Sequence, residues 1–196
     1  PQREAQLLHL FENRRLEGVF VSPSREDLPA AQDAFARCKL PLVVLDRETG
    51  FEADAICQDH RQGVATAVDY LVSLGHRRIA LFGPNPAIRP GREKLLGYRD
   101  GLRRAGLGYD EALVCMLSSA IESSAAQMDA MLALAAPPTA LIALGTRLLS
   151  GALRSARERG LRIPAQLSVV GIGTDDAFAL MDPPLTTLRF DIEGAA

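Results

Sequence analysis

Short apolar runs alternate with longer amphipathic stretches along the whole chain. The apolar runs are rich in β-branched side chains, as at residues 42–45 and 168–172. The stretches between them repeat apolar residues at helical spacing; residues 62–74, for example, carry Val64 and Leu71 on one face. Strands that are apolar throughout are buried on both faces, and strands that alternate with helices form parallel, doubly wound sheets. The pattern therefore predicts an α/β fold.

The predicted strands fall into two groups, separated by a polar segment. They span residues 19–21, 42–45, 55–57, 79–82, 113–117, 140–144 and 168–172. The predicted helices span residues 3–16, 24–38, 62–74, 93–105, 123–135 and 147–159. We therefore expect two doubly wound parallel-sheet lobes, of which the first is incomplete because a stable sheet of this kind needs more strands. Ligands bind such sheets beyond the carboxyl ends of the strands, so the expected site is the cleft between the lobes.

Charge and cysteine content exclude several classes of protein. The 22 basic and 24 acidic residues give a net charge of -2. A nucleic-acid-binding domain usually carries a basic excess, so any contact with DNA needs another segment. The three cysteines, Cys38, Cys57 and Cys115, are odd in number and contain no C-x-x-C pair. This content favours free thiols over a disulfide framework, and no metal site is predicted.

Motifs of membrane insertion and catalysis are also missing from the sequence. No apolar run approaches the length of a membrane helix and no signal peptide is recognisable, so we expect a cytoplasmic protein without a membrane partner. The sequence contains no nucleophile elbow and no P-loop, and Gly171 and Gly173 lack the third glycine of a dinucleotide fingerprint. We therefore expect neither an enzyme nor a cofactor.

Four motifs, in order along the chain, resemble those of lactose- and galactose-repressor-type transcription regulators, the LacI family. They are LGHRRIA at residues 74–80, REKLLGY at 92–98, IPAQLSVVG at 163–171 and PPLTTL at 183–188. The resemblance covers essentially the whole chain and implies a periplasmic-binding-protein-like fold. By this resemblance, residues 1–59 and 190–196 belong to the N-terminal lobe and residues 60–189 to the C-terminal lobe.

The resemblance implies the effector-binding and dimerisation domain of a bacterial transcription regulator. A small-molecule effector, such as a sugar, sugar acid or sugar phosphate, would bind in the cleft, and operator DNA would be read by a helix-turn-helix absent from this chain. The chain would form a homodimer through apolar residues of the C-terminal lobe. These are Leu148, Leu149, Leu153, Phe178, Leu180 and Met181. The alternatives are a periplasmic solute-binding protein with the same architecture and a protein-interaction module.

The resemblance also implies charged contacts to the ligand. Lys94 stands where the family has a cleft-facing arginine, and Asp46 ends a strand where the family often has an aspartate. Arg89 and Arg92 lie close by in sequence, and clustered bases favour an anion. The structural alternatives are solvated positions for the three bases and a turn position for Asp46.

Two glycines replace polar residues that the family uses to hold its ligand. Gly145 and Thr146 follow one strand where Asn-Asp is usual, and Gly173 and Thr174 follow another where an aspartate is common. Glycine removes side-chain contacts and opens backbone N–H groups to a ligand. We therefore expect an anionic effector; the alternative is a bulkier neutral one.

The two crossings between the lobes complete the expected site. Asp59 lies in the first crossing beside His60, and Phe190 lies in the second. We expect Asp59 and Phe190 to contact the ligand. The alternative for Asp59 and His60 is hydrogen bonding within the hinge.

Overall fold

The computed structural model describes residues 2–117, 121–173, 178, 180–191 and 194. Its first sheet has three parallel strands in the order β1-β2-β3. The strands and their two helices are α1 (Gln2–Asn13), β1 (Val19–Val21), α2 (Pro29–Ala36), β2 (Leu42–Leu45) and β3 (Asp54–Ile56). Val44 is fully buried at the centre of this sheet, level with Val21 and Ala55 of the outer strands. We call this unit the first lobe.

A second sheet has five parallel strands in the order β5-β4-β6-β7-β8. Its elements are α3 (His60–Ser73), β4 (Ile79–Pro84), α4 (Arg89–Arg104), β5 (Val114–Leu117), α5 (Ile121–Leu132), β6 (Ala140–Ala143), α6 (Thr146–Glu158), β7 (Ser168–Ile172) and β8 (Thr186–Leu188). We call this unit the second lobe. Two parallel sheets in one α/β chain confirm the predicted fold class.

Two cores flank the second sheet, because its strands are apolar on both faces. In β4, Ile79 and Leu81 pack against α3 and α4, whereas Ala80 and Phe82 pack against α5 and α6. Alternate side chains of a strand point to opposite faces. The continuous apolar run of β4 therefore supplies both cores.

Two helices begin four or more residues away from their predicted starts. The helix predicted at residues 24–38 is shorter and begins at Pro29, a residue favoured in the first turn because it lacks the N–H that a helix start leaves unpaired. The helix predicted at 93–105 begins earlier, at Arg89, with Pro90 in its first turn. This earlier start converts Arg89 and Arg92 from expected loop residues into residues fixed on a helix.

Close packing of α3 against α4 fixes the position of these basic residues. A Cβ atom on Gly97 of α4 would lie 2.2 Å from the backbone oxygen of Arg61 in α3. Only glycine permits this approach of the two backbones. The first two turns of α4, with Arg89, Arg92 and Lys94, therefore lie next to the start of α3, where the chain crosses between the lobes.

The apolar stripe of α6 faces inward, which corrects part of the expected dimer surface. Leu148 and Leu149 are buried in the core between α6 and the sheet. They already contact their own lobe and are not available to a second chain.

None of the helices in the described ranges is long and apolar enough to cross a membrane.

Candidate functional site

Basic residues of α4 contact carboxylates of the first lobe at the junction between the two sheets. Nη1 of Arg89 donates a hydrogen bond to Oδ1 of Asp46 at 2.9 Å and another to the backbone oxygen of Gln58 at 3.1 Å. Asp46 directly follows β2, and Gln58 lies in the first crossing. One guanidinium therefore links the second lobe to a strand end and to a connecting segment.

Both carboxylate oxygens of Asp46 are occupied by donors. Nε2 of His60 lies 2.6 Å from Oδ2, opposite the bond from Arg89 to Oδ1. Burial on its own would raise the pKa of Asp46, but the hydrogen bond from His60 and the charge of Arg89 outweigh it, so the pKa lies below its usual value. Each oxygen of the Asp46 carboxylate therefore already accepts one donor from the second lobe.

Arg92 forms a second bridge between the lobes. Its Nη1 atom lies 2.8 Å from Oε1 of Glu26, and its Nη2 atom lies 2.6 Å from Oε2 of Glu48. The side chain of Glu26 is 3% exposed, and its other oxygen accepts a hydrogen bond from the backbone N–H of Glu48 at 3.0 Å. Neither Glu26 nor Glu48 could be recognised as a site residue from the sequence, because both lie in irregular segments that pair only in three dimensions.

Lys94 differs from the two arginines because its charge is not matched by a neighbour. The residue is 7% exposed, and the described part of the chain contains no hydrogen bond or ion pair to its amine. Burial lowers the pKa of Lys94 to about 8; the charge of Asp46 opposes this shift and that of Arg47 adds to it. A buried amine with three unused donors is an arrangement that a ligand can complete.

His60 connects the site to both crossings. Its side chain is 2% exposed, and its ring meets that of Phe190 edge to face, with 5.4 Å between the ring centroids. Within the described residues, Nδ1 of this ring has no hydrogen-bond partner. The only polar contact of the His60 side chain in that part of the structure is therefore the carboxylate of Asp46.

The other residues expected in the site have different positions. Asp59 caps α3 by accepting a hydrogen bond from the backbone N–H of Gln62 at 2.9 Å, which matches the structural alternative. Gly145 and Thr146 start α6, and Gly173 follows β7 with a φ of 132° that favours glycine. These residues lie at the carboxyl edge of the second sheet, as α4 does. Thr174 lies outside the described residues.

His76, in the first of the four motifs, has a structural role at the opposite edge of the second sheet. Its ring nitrogens lie 2.9 Å from the hydroxyl oxygens of Thr139 and Ser168. Burial lowers its pKa. The ring therefore joins the residue before β6 to the first residue of β7, away from the lobe junction.

A groove lined partly by apolar residues lies beside α6. Leu153 and Met181 are partly buried and line a groove with a volume of about 930 Å³, whose rim includes Arg154 and Arg157. Leu180 is 86% exposed. Phe178 is partly buried against the core.

In the described residues, no group of three or more His, Cys, Asp or Glu side chains is arranged to hold a metal ion.

Comparisons with known proteins agree on one family. A family model for a periplasmic binding protein-like domain matches residues 68–196. The HTH-type transcriptional repressor CytR of Escherichia coli strain K12 is 29% identical over 97% of this chain. The chain spans 57% of the length of CytR.

Solved structures give the same result at the level of the fold. A regulatory protein of the LacI family from Chloroflexus aggregans is 27% identical, with a TM-score of 0.86, and the match covers 100% of this chain and 71% of that one. A complex of the transcriptional regulator CelR with cellobiose is 28% identical, with a TM-score of 0.83, and the match covers 94% of this chain and 57% of that one.

Proposed function

Because the chain belongs to the periplasmic binding protein-like domain family, in the form carried by LacI-family transcription regulators, we propose that it is the effector-binding and dimerisation domain of a cytoplasmic, DNA-binding regulator. We assign residues 1–59 and 190–196 to its N-terminal lobe and 60–189 to its C-terminal lobe. The curated relative CytR is a transcriptional repressor, which favours this role over a solute-binding protein and over an enzyme.

We propose that the effector is a small anion bound between the lobes, with Lys94 as its main contact. The observation that carries this proposal is a buried amine without a partner in the described residues, on the helix that faces the first lobe. Burying a charge is costly unless it is paired. An anionic group on the effector would supply that pair, and charge-assisted hydrogen bonds are roughly twice as strong as neutral ones.

The two arginines have a different part in this proposal. Arg89 and Arg92 already pair with Asp46, Glu26 and Glu48, so their charges are matched before an effector binds. We propose that they hold the two lobes in the arrangement that surrounds the effector. Gly145, Thr146, Gly173 and Thr174 would add backbone and hydroxyl donors, while Asp59 and Phe190 would shape the crossings.

The proposed control of DNA binding follows from linkage between the effector and the arrangement of the lobes. A ligand shifts an equilibrium between two arrangements only if it binds one of them better. An effector that bridges Lys94 and the first lobe favours the arrangement with the lobes in contact. A second copy of the chain, paired through the groove beside Leu153 and Met181, would carry this change to helix-turn-helix segments that bind two operator half-sites.

The experiment is a calorimetric titration of the full-length protein with glucose, gluconate and glucose 6-phosphate. We expect at least one acidic sugar to bind about tenfold or more tightly than glucose, because a single charge-assisted contact is worth at least that ratio. Lys94→Met should abolish this preference. Lys39→Met is the matched control, because Lys39 is the other lysine of this chain and is exposed.

Two results would contradict the proposal. Equal affinity for neutral and acidic sugars would exclude an anion as the recognised group. An unchanged preference in Lys94→Met would exclude Lys94 as its contact.

A further inference from the structure

Four segments of the chain meet at the carboxylate of Asp46. Asp46 itself follows β2, His60 begins α3, Arg89 begins α4, and Phe190 of the second crossing packs against the His60 ring. The donors from His60 and Arg89 occupy different oxygens of the same carboxylate. The orientation of this carboxylate is therefore fixed from two sides.

Lys94 lies close enough to Asp46 for the two charges to interact, yet the two side chains share no hydrogen bond. The charge of Asp46 raises the pKa of Lys94 against the effect of burial. A lysine amine is a compact charge on a flexible stem and readily reaches a carboxylate that has a free oxygen. The missing bond therefore needs an explanation, and the orientation of the Asp46 carboxylate toward His60 and Arg89 provides one.

We infer that His60 is a positioning residue, which holds Asp46 toward Arg89 and thereby keeps the amine of Lys94 available for the effector. The inference rests on the proposed function, since it takes Lys94 as the effector contact. The contacts of His60 support it: the ring is buried, meets Phe190 by its edge and uses its single hydrogen bond in the described structure for Asp46.

Removal of His60 would take away the donor to Oδ2 of Asp46, whose side chain is 25% exposed. A partly buried acceptor that loses its donor is unfavourable, and the nearby ammonium of Lys94 is the cation whose charge is not yet matched. A new Asp46–Lys94 ion pair would satisfy both groups. It would also compete with an effector anion for the same amine.

The first experiment needs no effector. In full-length protein labelled with ¹³C at the lysine ε-carbons, the Lys94 signal is assigned by its loss in Lys94→Met and then titrated with base. The charged groups that act on the amine are Asp46 and Arg47, and the midpoint is read from the signal of Lys94 itself.

The wild-type midpoint should lie near pH 8. His60→Ala should raise it by about one pH unit or more, as expected for a carboxylate that moves into contact with the amine. His60→Gln should restore the wild-type midpoint, because its amide supplies an N–H where Nε2 stood. A midpoint that stays unchanged in folded His60→Ala would overturn the inference.

The second experiment is a double-mutant cycle for gluconate binding at pH 7. His60→Ala should weaken binding by about tenfold or more when Asp46 is present and by less than about threefold in the Asp46→Asn background, because an uncharged amide does not capture the amine. An equal loss in both backgrounds would mean that His60 has only a structural role. If no acidic sugar binds the wild-type protein, the proposed function fails, while the ligand-free titration still decides the role of His60.

Discussion

The guanidinium of Arg92 lies 2.8 Å from Oε1 of Glu26, a carboxylate of the first lobe whose side chain is 3% exposed. Removal of one partner of a buried ion pair is strongly destabilising, because the other charge stays buried without compensation. We therefore expect Arg92→Met to lower the free energy of unfolding by about 3 kcal/mol. Denaturation of the full-length protein by urea measures this change.

Arg103 provides the control for this substitution. It pairs with Asp100 on the same helix, but its side chain is 77% exposed, and exposed pairs contribute about 0–1 kcal/mol. Arg103→Met should therefore have a small effect. Equal effects of the two substitutions would show that the Arg92–Glu26 pair is solvated in solution.

Lys94 should reduce the stability of the folded protein, as expected of a buried charge whose role is to bind the effector. Its pKa is about 8 in the folded protein and about 10.4 when unfolded. The folded state thus binds the proton less tightly, so the charged amine lowers the free energy of unfolding by the full amount below pH 8. This loss of stability disappears as the pH rises toward 10.4. Lys94→Met should raise the free energy of unfolding at pH 7 by about 3 kcal/mol while it removes effector binding.

The wild-type protein provides a second measurement of the same effect. Its unfolding free energy should increase between pH 8 and pH 9.5 relative to that of Lys94→Met. Lys39→Met should follow the wild-type curve, because that side chain is exposed. A Lys94→Met protein that is less stable than the wild type at pH 7 would contradict the burial argument.

The strands and the second sheet could be predicted because their signal is local. An apolar run such as residues 168–172 is buried on both faces wherever it lies, and β7 occupies that same range. The start of α4 was missed because Pro90 and Gly91 are typical of loops. Here Pro90 occupies the first turn of a helix, which the local sequence does not distinguish from a turn.

The pairing partners of the site could not be predicted, because they depend on how the lobes meet. Lys94 and Asp46 were identified through motifs, yet Glu26 and Glu48 become partners of Arg92 only when the first lobe packs against α4. Leu148 was assigned to a dimer surface because an apolar stripe does not reveal what covers it. In the folded chain the sheet of its own lobe covers it.

Asp46 should stabilise the fold only while it is ionised. Its pKa lies below the usual value in the folded protein, so its contribution is present above the unfolded pKa of about 3.9 and is lost as the pH falls through the folded value. The comparison is best made in a His60→Gln background, since the His60 ring is itself ionisable and contacts the same carboxylate. The two proteins are His60→Gln and His60→Gln/Asp46→Asn.

Their unfolding free energies should differ by a constant amount between pH 5 and pH 7. The difference should shrink below about pH 4, where the unfolded carboxyl group becomes protonated. A difference that stays constant down to pH 3 would show that the hydrogen bonds of Asp46, and not its charge, stabilise the junction.

The groove beside α6 should be part of a homodimer interface. Leu153 and Met181 line it, and a charge placed in an apolar interface is not compensated. Leu153→Lys should therefore convert the full-length protein from dimer to monomer in sedimentation velocity at micromolar concentration, because the groove already carries Arg154 and Arg157. Leu74→Lys is the control, since Leu74 is 56% exposed and lies outside this groove. Dissociation by both substitutions, or by neither, would count against the groove.

Gly97 should be essential for the packing of α3 against α4. An added Cβ would lie 2.2 Å from the backbone oxygen of Arg61 and 2.9 Å from its carbonyl carbon. Backbone atoms cannot rotate away as a side chain would, so the helices must separate. Overpacking of this kind costs about 1–3 kcal/mol, and we expect Gly97→Ala to reach the upper end of that range.

Gly63, on α3, gives the opposite expectation and is therefore the matched control. No atom lies within 4 Å of a Cβ added there, and alanine is favoured over glycine inside a helix by about 0.5–1 kcal/mol. Gly63→Ala should raise the thermal unfolding midpoint, whereas Gly97→Ala should lower it. Because Arg61 adjoins His60, the helix shift in Gly97→Ala should also disturb the Asp46–Lys94 region and weaken effector binding, which Gly63→Ala should leave intact. Normal stability in Gly97→Ala would mean that α3 and α4 lie farther apart than this structure places them.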